Sequence, residues 1–163
     1  MSEPCLIIDT REQTPWSFPA DVLTKRATLD AGDYALEGHP RGCVIERKSL
    51  LDFVGTTQRS TNWARFTREL EKLKACDKAA VIVEASVADV RHRMWRPMPG
   101  HRMEKGTSVR WALFLRDLKP AVVLASASEV FVKYGVPVIW GGDATDSATI
   151  AWSIFRRWRF HHG

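Results

Sequence analysis

Cysteine is scarce. The 163 residues hold three, Cys5, Cys43 and Cys76, an odd number without metal-type spacing. That excludes a disulfide framework and a zinc site, and it points to free buried thiols in a reducing compartment. Histidine is sparse too: the five residues form no H-x-x-H motif, so histidine catalysis has no support. No uninterrupted apolar run reaches membrane-spanning length. Met1-Ser2-Glu3-Pro4 leads at once into Cys5-Leu6-Ile7-Ile8, without the basic start and apolar middle of a signal peptide. An intracellular protein with no membrane partner is expected. Internal repeats and low-complexity linkers are also missing, and the length suits one domain over residues 1–163.

What is present is a globular composition, 45% hydrophobic, with a net charge of +5. The isoelectric point near 9.4 favours a polyanionic partner over a neutral one. Location says more than the total. Arg91, Arg93, Arg96, Arg102, Lys105 and Arg110 face a single acid, Glu104, with Trp95, His92 and His101 interleaved. Pro97, Pro99, Gly100 and Gly106 make this stretch a long loop. Arg93, Arg96, Arg102 and Lys105 are candidate phosphate contacts, with a solvated surface loop as the equal alternative.

Strand and helix patterns alternate along the chain. Residues 4–9 read as a buried strand, with Thr10-Arg11-Glu12 leaving it as a polar loop, so Asp9 and Glu12 can reach a site at its end. Residues 32–37 and 43–48 read as paired strands joined by a loop at 38–42. Ser49 followed by Asp52 resembles a capping box that starts a helix, the ordinary reading for Asp52. A helix over about 61–75 buries Trp63, Phe66, Leu70 and Leu73. Arg59 and Arg65, near its start, can face a phosphate, whereas Arg68, Lys72 and Lys74 read as solvated surface. A strand follows at 79–84 and a helix at about 108–118. Residues 120–134 are open between strand and helix, and Pro120 and Gly135 at the ends favour helix. Residues 136–140 read as a last strand, and Asp146 or Ser147 as the cap of a helix to about 160. This is an α/β pattern, a central mixed sheet flanked by helices. Most of the seven tryptophans fall on apolar faces and read as core or oligomer interface; Trp16 and Trp95, in loops, are the exceptions.

The most informative chemistry lies in the paired strands. Side chains alternate faces, so Glu46 and Lys48 project together and Arg47 points away. Pairing centred on the 38–42 loop sets Asp33 opposite Arg47, beside Glu46 and Lys48. Two carboxylates can hold magnesium, and a lysine can orient or deprotonate a water or neutralise developing charge. That equips a site for metal-assisted phosphodiester hydrolysis. The plain alternative is the solvated end of an ordinary strand.

Taken together, Asp9-Thr10-Arg11-Glu12, Gly32-Asp33, and Glu46-Arg47-Lys48 followed three residues later by Asp52 resemble the XPF family of structure-selective DNA endonucleases. The match covers residues 5–75. The resemblance implies a restriction-endonuclease-like fold and magnesium- or manganese-dependent cleavage of branched, flap or junction DNA in repair, recombination or replication. It implies Asp33 and Glu46 as metal ligands, Lys48 positioning the attacking water, and Asp9 and Glu12 assisting at the metal. Arg11 would touch the scissile phosphate. Arg47 and Asp52 are signature positions, and Arg47 is a candidate to hold Asp52 through a charged hydrogen bond. Family nuclease domains commonly pair, which makes a homodimer through the aromatic C-terminal helix an option beside core packing. Many members add a tandem helix-hairpin-helix region or a helicase domain, and this chain has neither. Two other readings keep the fold: a non-catalytic DNA-binding or scaffold subunit, and a nuclease acting on RNA.

Overall fold

A computed structural model describes residues 5–95 and 109–162. Six strands form one mixed sheet: β1 (Leu6–Asp9), β2 (Thr24–Ala27), β3 (Tyr34–Leu36), β4 (His39–Ser49), β5 (Lys78–Glu84) and β6 (Val138–Trp140). Their order is β2-β1-β3-β4-β5-β6. The β1–β3 and β3–β4 pairs are antiparallel, and the β1–β2, β4–β5 and β5–β6 pairs are parallel. Among the described residues, six helices flank the sheet: α1 (Leu50–Gln58), α2 (Ser60–Lys74), α3 (Val87–Arg91), α4 (Val109–Asp117), α5 (Pro120–Tyr134) and α6 (Ala144–His162). This is the expected α/β architecture. Among the described residues, no helix is long and apolar enough to cross a membrane.

The period of two in the strands builds the two cores. Ile7, Val44, Val81 and Val83 join Phe53, Phe66, Leu70, Val123 and Val130 under α1, α2 and α5. Leu6, Ile8, Cys43, Ile45, Ala80 and Ile82 face the other way and meet Ala151, Phe155 and Trp158 of α6. The aromatic face of the C-terminal helix is therefore core. Gly42 makes that docking possible, since a Cβ there would lie 2.5 Å from the Trp158 ring.

Several local expectations hold for the expected reasons. Ser49 caps α1, its side chain accepting from the Asp52 N–H at 3.1 Å. Residues 120–134 are helix, with Pro120 in the first turn and the Gly135 N–H donating to the Phe131 carbonyl at 2.8 Å. Others need correction. The 38–42 loop is shorter than its turn formers suggest: Glu37 and Gly38 make the turn, and β4 begins at His39. A register shift between Ala35 and Leu36 absorbs the difference, and Tyr34 pairs with Ile45. That register sets Asp33 across from Glu46 rather than Arg47. Helix α6 starts at Ala144, because Asp143 accepts from the Thr145 and Asp146 N–H groups at 2.8 and 2.9 Å. Trp16 and Trp95 are buried, not exposed loop aromatics. Only Cys43 of the three free thiols is fully buried; Cys5 and Cys76 are half-buried.

Replacing Gly42 by alanine drives a methyl group into Trp158. The expected cost is about 1–3 kcal/mol, as for overpacking elsewhere, read from urea denaturation. An unchanged midpoint would show that α6 docks without this close approach.

Candidate active site

Gly32 sits at a φ of +67°, where side chains are strained, and a Cβ there would meet Val44 Cγ1 at 2.4 Å and the Ile45 carbonyl at 2.9 Å. Glycine lets the 32–33 turn lie directly against β4. Asp33 is then clamped. Its N–H donates to the Ile45 carbonyl at 2.9 Å, its carbonyl accepts from the Asp9 N–H at 2.8 Å, and Oδ2 accepts from the Arg47 N–H at 2.8 Å.

Glu46 and Lys48 share the β4 face that looks toward α2. Lys48 Nζ donates to Glu46 Oε1 at 2.9 Å, lies 3.7 Å from Glu69 Oε2, and sits over the Phe66 ring. Burial raises the Asp33 carboxyl first, and the Glu46 and Glu12 charges push further, carrying its pKa up to about 7. Burial also raises Glu46, against the pull of Lys48. Burial works against the Lys48 ammonium, but Glu46, with Glu69 and Asp33 behind it, holds its pKa above the usual lysine value. Lys48 therefore stays an ammonium, able to donate hydrogen bonds and offset negative charge but not to take a proton.

Asp9 has a different environment. It is buried, and its oxygens accept from the Arg11 N–H at 2.8 Å, Arg11 Nε at 2.7 Å, Arg11 Nη2 at 3.1 Å and the Leu29 N–H at 2.7 Å. Burial opposes its ionisation, yet these donors hold its pKa below the usual value. Among the described residues, no three acids, histidines or cysteines cluster as a metal-holding group.

Arg47 leaves β4 on the opposite face. It donates to Glu84 Oε1 at 2.8 Å, to Glu12 Oε1 at 3.2 Å and to the Thr14 carbonyl, with its guanidinium 5.5 Å from the Trp16 ring centre. Trp16 in turn stacks on Tyr34. Glu12 thus bonds to Arg47 rather than to the Glu46–Lys48 pair. Arg47 bonds none of its side-chain donors to Asp52, which instead accepts from Ser49 Oγ at 2.7 Å.

Two clefts open on the Glu46–Lys48 side. One, of about 440 Å³, is lined by Asp33, Glu46, Arg11, Arg65, Arg68 and Lys72, with Asp30 and Glu69. Its neighbour, of about 300 Å³, is lined by Lys48, Asp52, Arg59, Arg65 and Trp111, among others. Arg65 lines both. Arg68 and Lys72 read as surface in sequence, yet they line the cleft. Their spacing from Arg65, three and seven residues, is that of one helix face and is the signal that marks them. Arg93 lines neither cleft; it lies just past the end of α3, near Asp117 of α4. Arg96, Arg102 and Lys105 lie outside the described residues.

Residues 8–152 match the ERCC4 domain. The chain belongs to the ERCC4 domain family. This is a family of nuclease domains, and the match runs well past the signature residues into α6. The fold is that of the XPF nuclease domain, restriction-endonuclease-like. XPF from Aeropyrum pernix superposes with a TM-score of 0.60 at 18% identity, over 94% of this chain and 61% of that one. XPF from Aeropyrum pernix in complex with DNA superposes with a TM-score of 0.63 at 19% identity, over 95% and 64%. The chain thus spans less than two thirds of either structure's length. No curated protein sequence matches it.

The raised Asp33 pKa makes a signed prediction for this ERCC4 domain without metal. The folded state holds the Asp33 proton more tightly than the unfolded chain does, so stability is lost as pH rises from the ordinary carboxylate range to about 7. Asp33→Asn keeps an acceptor for the Arg47 N–H and removes the charge. In EDTA it should stabilise the fold by roughly 1–3 kcal/mol near pH 8, with the gain shrinking toward pH 5. Urea denaturation at both pH values reads this, and a gain independent of pH would contradict it.

Proposed function

We propose that the chain is a metal-dependent endonuclease that hydrolyses phosphodiester bonds in DNA, acting on branched, flap or junction substrates in repair, recombination or replication. The observation that carries this reading is the partly buried Asp33–Glu46 pair, one Lys48 ammonium beside it, at the wall of a cleft with four basic side chains. The DNA complex of the Aeropyrum pernix relative supports DNA as the polymer.

The donor set fits a hard divalent cation. Two neighbouring carboxylates, both with pKa values raised by burial, sit side by side, with Lys48 bonded to Glu46 and Arg11 near the pair. Magnesium commonly uses one or two carboxylates and completes its shell with waters and substrate phosphate. Asp33 and Glu46 would hold magnesium or manganese, and the ion would supply Lewis-acid polarisation of the phosphoryl group. Asp9 reaches such an ion only by giving up Arg11, so its part in our reading is to orient Arg11 at the cleft.

The protein's own contributions follow from the geometry. Lys48, fixed by Glu46, donates to the attacking water and offsets charge on the phosphoryl oxygens. The water oxygen bonds to phosphorus as the bond to the 3′ oxygen breaks; the water's proton passes to solvent, and the leaving 3′ oxygen takes one up from solvent. Arg11, Arg65, Arg68 and Lys72 take the flanking phosphates. Arg47, with Glu12 and Glu84, holds the far face of β4 rigid behind the two acids.

Cleavage of labelled flap, fork and linear DNA, with and without magnesium, tests this. Asp33→Ala, Glu46→Ala and Lys48→Ala should each cost about 100-fold or more. If Asp33→Ala cuts as wild type does, the reading fails. The phosphate contacts have a separate signature. An Arg65→Ala, Arg68→Ala double variant should lower the slope of log affinity against log salt by about 2. An unchanged slope would take those arginines off the phosphates.

A further inference from the structure

Arg59 sits at the junction of α1 and α2, exposed, and carries no ion pair among the described residues. Its guanidinium lies over the Trp111 ring, Cζ 4.8 Å from the centroid. Trp111 is half-buried against the core and stacks on Phe114, with centroids 5.2 Å apart and planes 12° from parallel. Phe114 thus backs Trp111, and the planar Arg59 cation lies over the Trp111 ring. Arg59 and Trp111 line the cleft of about 300 Å³ that Lys48 and Arg65 also line. That volume is at the small end for a ligand site, about 300–1,000 Å³, and suits one nucleotide rather than a duplex.

A surface arginine that only contacts phosphate gains little from an aromatic partner. One held flat by an aromatic partner presents its own face at low entropic cost, and bases stack on such planes. A base inside a duplex has both faces covered by its neighbours. An unpaired base does not.

We propose that Arg59, positioned by Trp111, is a stacking platform for the base of an unpaired nucleotide next to the scissile phosphate. The site thereby prefers nucleic acid with single-stranded character beside the cut. This rests on the reading above that the cleft faces DNA.

Binding is measured in EDTA, so that it does not depend on cleavage. The probes are a blunt duplex and the same duplex with a short single-stranded flap, each followed by fluorescence anisotropy. Arg59→Lys keeps the charge and removes the plane, so a phosphate contact survives it and stacking does not. The flap-over-duplex preference should fall about tenfold in Arg59→Lys and in Trp111→Leu. Trp111→Phe, which keeps an aromatic face, should retain most of it. A preference unchanged in Arg59→Lys overturns the proposal, as does an equal loss on both probes. A measurement on the wild-type chain guards against variants that fail to fold. With 5-iododeoxyuridine at the first unpaired position, photo-crosslinking should map to the peptide holding Arg59, against which the base lies. Crosslinks only elsewhere overturn the proposal. If these results hold and magnesium gives no cleavage, the catalytic reading falls and the stacking site stands.

Discussion

Everything at the site depends on one close approach, the backbone of Gly32 and Asp33 lying against β4. The separation is below what any Cβ allows, with Val44 and the Ile45 carbonyl in the way. It lets a short turn use strand hydrogen bonds without being a strand. The Asp33 N–H and carboxylate both close onto β4, and the Asp33 carbonyl closes onto β1. A carboxylate whose backbone is fixed on two sides is held beside Glu46, half-buried at the cleft wall, and bears the cost of that burial.

The two faces of β4 divide the work. Glu46 and Lys48 face α2, where Phe66 and Glu69 border them. Arg47, between them in sequence, turns to the other side and ties β4 to β5 through Glu84 and to the 12–16 loop through Glu12 and Thr14. Both Arg47 and its acids are largely shielded from water, so removing one partner would strand a buried charge. The Glu-Arg-Lys run is thus two charge systems back to back, one facing the clefts and one tying β4 to its neighbours. The same division separates the acids near β1: Asp9 is saturated by Arg11 and Leu29, while among the described residues Asp33 has a single donor on its carboxylate.

Elements with strong local signals were legible. The Ser49 cap, the amphipathic stripe of α2 and the Pro120–Gly135 bracket of α5 all lie within a few residues of the groups they satisfy. Elements stabilised by distant partners were not. Strand β2 has three exposed residues in four and exists because β1 pairs with it. The hairpin register failed by one residue because turn composition does not reveal a bulge between Ala35 and Leu36. Trp16 and Trp95 looked like loop aromatics because their burial comes from β3 and β5 in one case and α4 in the other.

By itself the sequence determined that this is an α/β chain with a basic balance, and that Glu46 and Lys48 share a face, since strand alternation needs no tertiary information. It also determined the reading of Asp33, Glu46 and Lys48 as one group, through the spacing of a signature. Only the tertiary structure decided which acids stay together. It closed Asp9 onto Arg11 and Glu12 onto Arg47, and left Asp33 and Glu46 facing a cleft. It also brought Arg68 and Lys72 to that cleft and Trp111 to its neighbour, from residues whose local pattern reads as ordinary helix surface or core. The reason is geometric: a side chain's periodicity sets its direction from its own backbone, while its partner is set by where the other elements pack.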